Sequence, residues 1–266
     1  MDPTIRWYYR SDRFVNAALR VLRGAFDGVW LGILNREQLA RIDEVYYNHL
    51  REYMTESHNR RGLFAWEQAA VDHHFSGIRR IIVTSAGGGR EMLALAKAGY
   101  EVAGYEPHED LACFGNRLLK ADGVDATIAT CDRDAWPREA GEADGVIVGW
   151  SGYMLTAGRA RRVAFLREAA RRLPVGAPVL VSFFVVEGRD IRLRTAARIA
   201  TPLRWLLRRE PVTVGDALVP NSVHFFTRDE LEAELADGGL DLVDFGNEES
   251  GWAVGRVRSS QEENHG

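Results

Sequence analysis

The sequence predicts an α/β fold: a Rossmann-like, mostly parallel seven-stranded sheet with helices on both faces. From residue 78 to about 187, short apolar runs alternate with helical patterns, which implies right-handed crossovers between parallel strands. Further on, the apolar runs 240–245 and 252–257 are joined only by residues 246–251. That connection is too short for a parallel crossover, so we expect the sheet to end in an antiparallel hairpin.

Length and composition exclude several classes of protein. The chain has 266 residues, 46% of them hydrophobic, which suits one large folded domain with an added cap. Its net charge of −4 counts against a broad nucleic-acid surface, so no nucleic-acid partner is expected. Cys113 and Cys131 form neither a disulfide framework nor a zinc pattern, so no metal is expected. The apolar runs are shorter than the roughly 18 residues of a membrane span. We therefore expect a cytoplasmic protein without a membrane span or signal peptide.

The pattern divides the chain into three parts. We predict a helical N-terminal cap over 1–77, a main domain over 78–258 that contains a helical insert at 188–222, and a flexible tail at 259–266. In the cap, an apolar stripe that includes Phe14 and Leu22 predicts a buried helix face, with Gly24 or Gly28 ending that helix.

Short capping patterns place two helix starts. Asn35 with Gln38, and Thr227 with Glu230, have the spacing of capping boxes, in which each residue's side chain bonds the other's backbone. In the insert, Thr201-Pro202 predicts a helix start. We interpret the insert as a lid over the substrate; its arginines leave open anion binding or a membrane-surface helix.

The most informative stretch runs from Ile81 to Glu91, where a buried strand turns into a helix through small residues. Such a turn lets the backbone approach a ligand, and it lies at the carboxyl end of a parallel strand, where open α/β sheets bind ligands. Glu106 ends the next strand, and its two oxygens match the vicinal hydroxyls of a ribose. Together these residues predict a nucleoside site.

This arrangement resembles the class I S-adenosylmethionine (SAM)-dependent methyltransferase family. The residues that match its pattern are Gly87, Gly89, Arg90, Glu91 and Glu106. Asp132 fits the acid that the family tends to place near the adenine. The fourth predicted strand ends at Gly149-Trp150, where the family places the methyl group. The resemblance covers roughly residues 78–258 without the insert.

Two residues depart from the family pattern, because Val83 stands where an acid is usual and Ser85 where the first glycine is usual. Contacts to the methionine moiety are therefore expected from elsewhere, such as the N-terminal tyrosines. A nicotinamide-binding domain fits less well, since Met92 occupies the position of its third glycine.

The resemblance implies SAM as cofactor, S-adenosylhomocysteine (SAH) as product, and in-line transfer of a methyl group to a small molecule. The predicted cofactor-binding residues are Ser85, Ala86, Gly87, Gly89, Glu91, Glu106, Pro107, Cys131, Asp132, Arg133, Gly149 and Trp150. The predicted substrate residues are the tyrosines Tyr8, Tyr9, Tyr46, Tyr47 and Tyr153. His224 is the candidate base for an oxygen acceptor. Two alternatives stay open: a methyltransferase acting on a macromolecule, and a SAM-binding protein without turnover.

Overall fold

A computed structural model of the protein describes residues 1–248 and 250–259. The predicted tail lies outside these residues apart from Ser259. The chain forms two compact units. The first combines Met1–Asp43 with Val186–Phe225, and the second combines Glu44–Val185 with the chain from Phe226 onward. This division differs from the predicted cap and insert, because the first 43 residues group with the insert while residues 44–77 group with the main domain.

The strands and helices are numbered here along the chain. The strands are β1 Arg80–Thr84, β2 Glu101–Glu106, β3 Ile128–Thr130, β4 Gly145–Val148, β5 Pro178–Val185, β6 Asp216–Leu218, β7 Ser222–Phe226, β8 Leu240–Gly246 and β9 Gly251–Val257. The α-helices are α1 Pro3–Ile33, α2 Arg36–His49, α3 Glu56–Asn59, α4 Ala65–His74, α5 Arg90–Lys97, α6 Glu109–Ala121, α7 Arg159–Arg172, α8 Ile191–Leu206 and α9 Arg228–Asp237.

The second unit contains the predicted sheet. Within its described residues, seven strands lie in the order β3-β2-β1-β4-β5-β9-β8. β1 to β5 pair in parallel, whereas β9 runs antiparallel to both β5 and β8. The terminal hairpin inferred from the short connection is therefore confirmed, and so is the Rossmann-like fold class.

The centre of this sheet is buried on both faces, as expected for parallel strands covered by helices. Ile81, Ile82 and Val83 of β1 are all buried, and so is every residue of β4. Phe75, which ends α4, is fully buried in the same core cluster as Leu93 of α5. Residues 65–75 are thus part of the main domain's core rather than of a separate cap.

The first unit is built on two helices that pack closely. A Cβ atom added to Gly28 would lie 2.6 Å from the Ala196 carbonyl oxygen, and one on Gly32 would lie 2.7 Å from Leu203. Glycines at a spacing of four residues therefore let α1 approach α8 through backbone. The prediction that Gly24 or Gly28 ends the first helix is wrong: α1 continues to Ile33, and both glycines are buried in this contact.

The stripe through Phe14 and Leu22, predicted to be buried, is exposed, with 74% and 66% of the two residues accessible. Periodicity marks an apolar face without saying what covers it.

The insert also differs from its prediction. Pro202 lies inside α8 rather than at its start, because the helix begins earlier, where the Asp190 side chain accepts a hydrogen bond from the Leu193 N–H. After α8 in the chain, β6 and β7 form an antiparallel hairpin that we did not predict, although Pro220-Asn221 between apolar runs is a turn signal. Both predicted capping pairs form hydrogen bonds at helix starts.

Candidate functional site

The turn after β1 is shaped by left-handed backbone conformations. Ser85, Gly87 and Gly89 have φ angles of 51°, 54° and 92°. Glycine adopts such angles freely, whereas a serine there costs on the order of 1 kcal/mol. Gly149 and Gly152 pack directly against Ser85, where any Cβ atom would overlap with it. Ser85, which stands where the family usually has a glycine, therefore packs against glycines at the end of β4.

Glu106 is held at the centre of this turn. Its Oε2 accepts a hydrogen bond of 2.8 Å from the Gly87 N–H, and its Oε1 accepts one of 2.9 Å from the His108 N–H. Only 4% of the residue is exposed. Burial raises the pKa of Glu106 to about 7, although both hydrogen bonds act in the opposite direction. The carboxyl group therefore joins the ends of β1 and β2 and changes charge near neutral pH.

A small cavity of about 40 Å³ opens at the carboxyl ends of the strands, and Pro107, which follows Glu106, is among its lining residues. Its lining includes Ser85, Pro107, Cys131 and Asp132, all of them predicted cofactor-binding residues, together with Thr84. The Thr84 hydroxyl is buried and has no hydrogen-bond partner among the described residues. A Cβ atom on Gly87 would meet nothing within 4 Å. The cavity is thus a polar recess with an unsatisfied hydroxyl, smaller than the roughly 300 Å³ or more of a typical ligand site.

Glu67, Arg90 and Glu91 form a buried cluster of charged side chains next to the turn, which we call the Glu67–Arg90–Glu91 brace. Glu91 Oε1 accepts hydrogen bonds from the Trp150 N–H at 2.9 Å and from Arg90 at 2.6 Å. Arg90 also forms a two-pronged ion pair with Glu67 of α4, at 2.5 and 2.6 Å, and all three charged side chains are buried. Burial raises the pKa of Glu67. The brace fixes the end of β4 to the start of α5, so in this structure Glu91 is engaged by protein groups.

Sequence reasoning missed Glu67, because nothing local links it to Arg90, which lies 23 residues later. The one available signal is its spacing from Phe64, whose N–H donates to the Glu67 carboxylate at 2.7 Å. That pattern marks a helix start, and it gives no indication of the buried arginine.

A row of aromatic rings runs from the end of β4 to the end of β2. Trp150 lies 5.0 Å from Phe64 and 6.3 Å from Tyr53, measured between ring centroids. Tyr47 continues the row, 5.8 Å from Tyr53 and 5.1 Å from the His108 ring. We predicted Trp150 and Tyr47, whereas Tyr53 and Phe64 were missed. Tyr46 contacts Tyr47 at 5.4 Å.

The loop after β3 carries the predicted residues Cys131, Asp132 and Arg133. Asp132 is exposed and lies 3.3 Å from Arg138, and Arg133 lies 2.8 Å from His108 Nε2. Burial raises the pKa of the Cys131 thiol to about 12, so it stays protonated and is not a nucleophile at neutral pH. Tyr153 lines the cavity but is only 1% exposed, and its hydroxyl donates to Glu234 at 2.8 Å.

Three predicted residues belong to the first unit. Tyr8 and Tyr9 are exposed on α1. His224 is 2% exposed on β7, and its Nδ1 lies 2.7 Å from Asp216 Oδ1 on β6. Its ring also packs tightly against Gly215. His224 therefore links the two strands of the hairpin.

Comparison with solved structures identifies this architecture. A SAM-dependent methyltransferase from Methanosarcina mazei matches with a TM-score of 0.55 at 17% identity, over 74% of this chain and 99% of its own. One from Clostridium acetobutylicum matches at 0.56 and 8% identity, over 83% and 99%. A sugar N-methyltransferase from a Streptoalloteichus species matches at 0.54 and 16% identity, over 82% and 92%.

The chain has the class I SAM-dependent methyltransferase fold, as the resemblance implied. No model of a known protein family matches the sequence, and neither does any curated protein. Any statement about the reaction therefore depends on the site itself.

Proposed function

We propose that the protein is a SAM-dependent methyltransferase that acts on a small molecule. One observation carries the proposal: the buried carboxyl group of Glu106 lies at the junction of β1 and β2 and accepts a hydrogen bond from the Gly87 N–H, and the next residue, Pro107, lines a cavity. Phosphate-binding turns leave that position to an anion of the ligand, whereas a protein carboxyl group there suits a ligand with neutral hydroxyls.

In this proposal each part of SAM has its own set of residues around the cavity. Glu106 would hold the ribose hydroxyls, and the backbone of the turn from Ser85 to Gly89 would lie along the nucleoside. Residues 131–133, with Pro107, would border the adenine. Gly149 and Trp150 would lie beside the sulfonium. When bound, SAM supplies an activated methyl group that needs only an aligned nucleophile.

The chain's own contribution is then to orient the acceptor and exclude water. Trp150, Phe64 and Tyr53 form an apolar wall at the end of β4, and aromatic faces stabilise a nearby cation. Holding two reactants in line contributes several kcal/mol to lowering a barrier. The Glu67–Arg90–Glu91 brace keeps Trp150 in position through its backbone N–H.

The small-molecule acceptor is supported by the solved structures of similar fold, which include a sugar N-methyltransferase and a mitomycin 7-O-methyltransferase. Tyr47 and Tyr46 are proposed to contact the acceptor, because the aromatic row places them next to His108. The other predicted substrate contacts, Tyr8, Tyr9 and Tyr153, remain predictions.

We propose His224 as the base for an oxygen acceptor. Its burial and its contact with Asp216 also give it a role in holding the hairpin. His224→Ala with unchanged turnover of an oxygen acceptor would remove it from the mechanism. A loss of turnover together with a loss of thermal stability would indicate the structural role.

The cofactor proposal is tested by titration calorimetry with SAH. We expect binding to the intact protein, and a loss of about 10- to 100-fold in affinity for Glu106→Gln, since a hydrogen-bonded charge is removed. Glu101→Gln is the matched control, because Glu101 begins the same strand but is exposed and pairs with Arg79. Equal affinities in the two variants would contradict the assigned ribose contact.

The enzymatic part needs a separate measurement. SAM consumption is followed with a panel of sugars and aromatic hydroxyl compounds, using Glu106→Gln as the blank. Binding without methyl transfer to any acceptor would favour the non-catalytic alternative.

A further inference from the structure

The first part of α1 makes few contacts with the described part of the chain, such as the Arg20–Asp190 ion pair and the hydrogen bond from Arg23 to the Leu218 carbonyl. From Met1 to Arg23, every residue except Ser11 is exposed. In proteins most helical stability comes from packing of an apolar face. The described part of the chain leaves the apolar side of this segment without a packing partner.

The sequence of this segment has a seven-residue repeat. Arg6-Trp7-Tyr8, Arg13-Phe14-Val15 and Arg20-Val21-Leu22 each place an arginine before two apolar residues. Seven residues are almost two helical turns, so corresponding positions lie on the same face. One side of the helix thus carries Trp, Tyr, Phe, Val and Leu over about 24 Å, and another side carries the arginines.

Among the residues that the structure describes, none covers the apolar face. Trp7 and Phe14 are each 74% exposed, and Leu22 is 66% exposed. Contiguous exposed apolar residues of this size mark a site of interaction with another molecule or with a membrane.

Charge decides between the possible partners. The first 23 residues contain five arginines and two aspartates, and the whole first unit contains fourteen arginines against nine acidic residues. Its net charge is therefore +5, while the complete chain carries −4. A second copy of α1 would bring arginines beside arginines, whereas a coiled coil needs opposite charges next to its apolar stripe. An anionic lipid surface matches both the arginines and the aromatic residues.

The orientation follows from length and polarity. Within the described residues, no helix is both long enough and apolar enough to cross a bilayer. A helix with Arg on one side and Trp, Phe and Leu on the other lies in the plane of the membrane surface. We propose that α1 binds the surface of an anionic phospholipid bilayer through residues 6–22.

The test is flotation of the full-length protein with vesicles. We expect it to float with vesicles of equal parts phosphatidylcholine and phosphatidylglycerol, to stay unbound with phosphatidylcholine alone, and to be released as NaCl is raised. The double variant Phe14→Glu, Leu22→Glu should lower the partition coefficient by more than about tenfold.

Two further variants separate the contributions. Arg10→Gln with Arg13→Gln should reduce binding about tenfold or more while leaving the apolar face intact. Val175→Glu, at an exposed apolar residue of the second unit, is the matched control and should bind like the unmodified chain. Circular dichroism checks that each variant is folded.

Equal flotation of the Phe14→Glu, Leu22→Glu variant would overturn the proposal, and so would failure of the unmodified protein to bind anionic vesicles. A dimer in light scattering that the same double variant converts to a monomer, without vesicle binding, would assign the face to a second copy instead.

Discussion

Gly87 and Gly88 are neighbours in the turn after β1, but they face different surroundings. Beyond Gly87 there is free space, which we assign to the cofactor. A Cβ atom on Gly88 would overlap with the Tyr53 carbonyl and lie 2.8 Å from the Asn59 side chain, which itself donates to that carbonyl. The sequence alone does not distinguish these two reasons for a glycine.

We therefore expect Gly88→Ala to lower the free energy of unfolding by about 1–3 kcal/mol through overpacking against backbone. Urea denaturation measures the change. Gly141→Ala is the control, because Gly141 has no atom within 4 Å of its added Cβ and no left-handed φ angle, so it should change stability by less than about 0.5 kcal/mol. Equal effects of the two substitutions would refute this account of Gly88.

Glu106 also predicts a pH dependence. Its pKa is raised to about 7 in the folded protein, above the ordinary carboxyl value of 4.5. The stability associated with its protonated form is therefore complete below pH 4.5 and is lost as pH rises through 7. Without ligand, the protein should lose stability over this interval, and Glu106→Gln should remove that part of the slope.

The affinity for the ligand should change with pH in the opposite direction, because the ionised carboxylate of Glu106 is the better acceptor for two hydroxyls. SAH affinity should rise between pH 6 and pH 8 and level off above the pKa, as measured by calorimetry at each pH. An affinity that falls over this range would indicate that the protonated form binds.

At the scale of elements, the contact between α1 and α8 depends on the glycines of α1. Gly28→Leu should force the helices apart and cost about 1–3 kcal/mol or more, since its Cβ would already lie 2.6 Å from the Ala196 carbonyl oxygen. Thermal unfolding followed by far-ultraviolet circular dichroism reports the loss. Ala18→Leu, in the exposed first part of the same helix, should have little effect. A comparable loss there would mean that the glycine contact with α8 is not what holds α1.

Signals between residues a few positions apart suffice to predict some of the elements from the sequence. The Asn35–Gln38 capping box and the terminal hairpin depend on residues a few positions apart, and both were predicted. The Glu67–Arg90 ion pair and the β6–β7 hairpin were not predicted. The ion pair joins residues far apart in sequence, while the turn signal of the hairpin lay inside a segment interpreted as helical.

At the scale of the whole molecule, the proposed cofactor site lies in the second unit, so ligand binding should protect that unit and not α1. SAH at 100 times its dissociation constant should stabilise the folded protein by about 2.7 kcal/mol. Hydrogen exchange should show new protection around residues 84–91 and 106–108 of the second unit, and none in residues 3–20 of α1. Protection confined to α1 would contradict the assigned site.

The sequence by itself determined the parallel strands β1 to β5, the terminal hairpin, the glycine turn and the acidic residue that ends β2, because each depends on local periodicity or on neighbouring residues. The tertiary structure alone decided that the stripe through Phe14 and Leu22 is exposed, that Glu91 is held by Arg90 and Trp150, and that Tyr53 and Phe64 border the end of β4. Those facts depend on which surfaces meet across long separations in the chain, and an apolar or charged pattern along one element does not specify its partner.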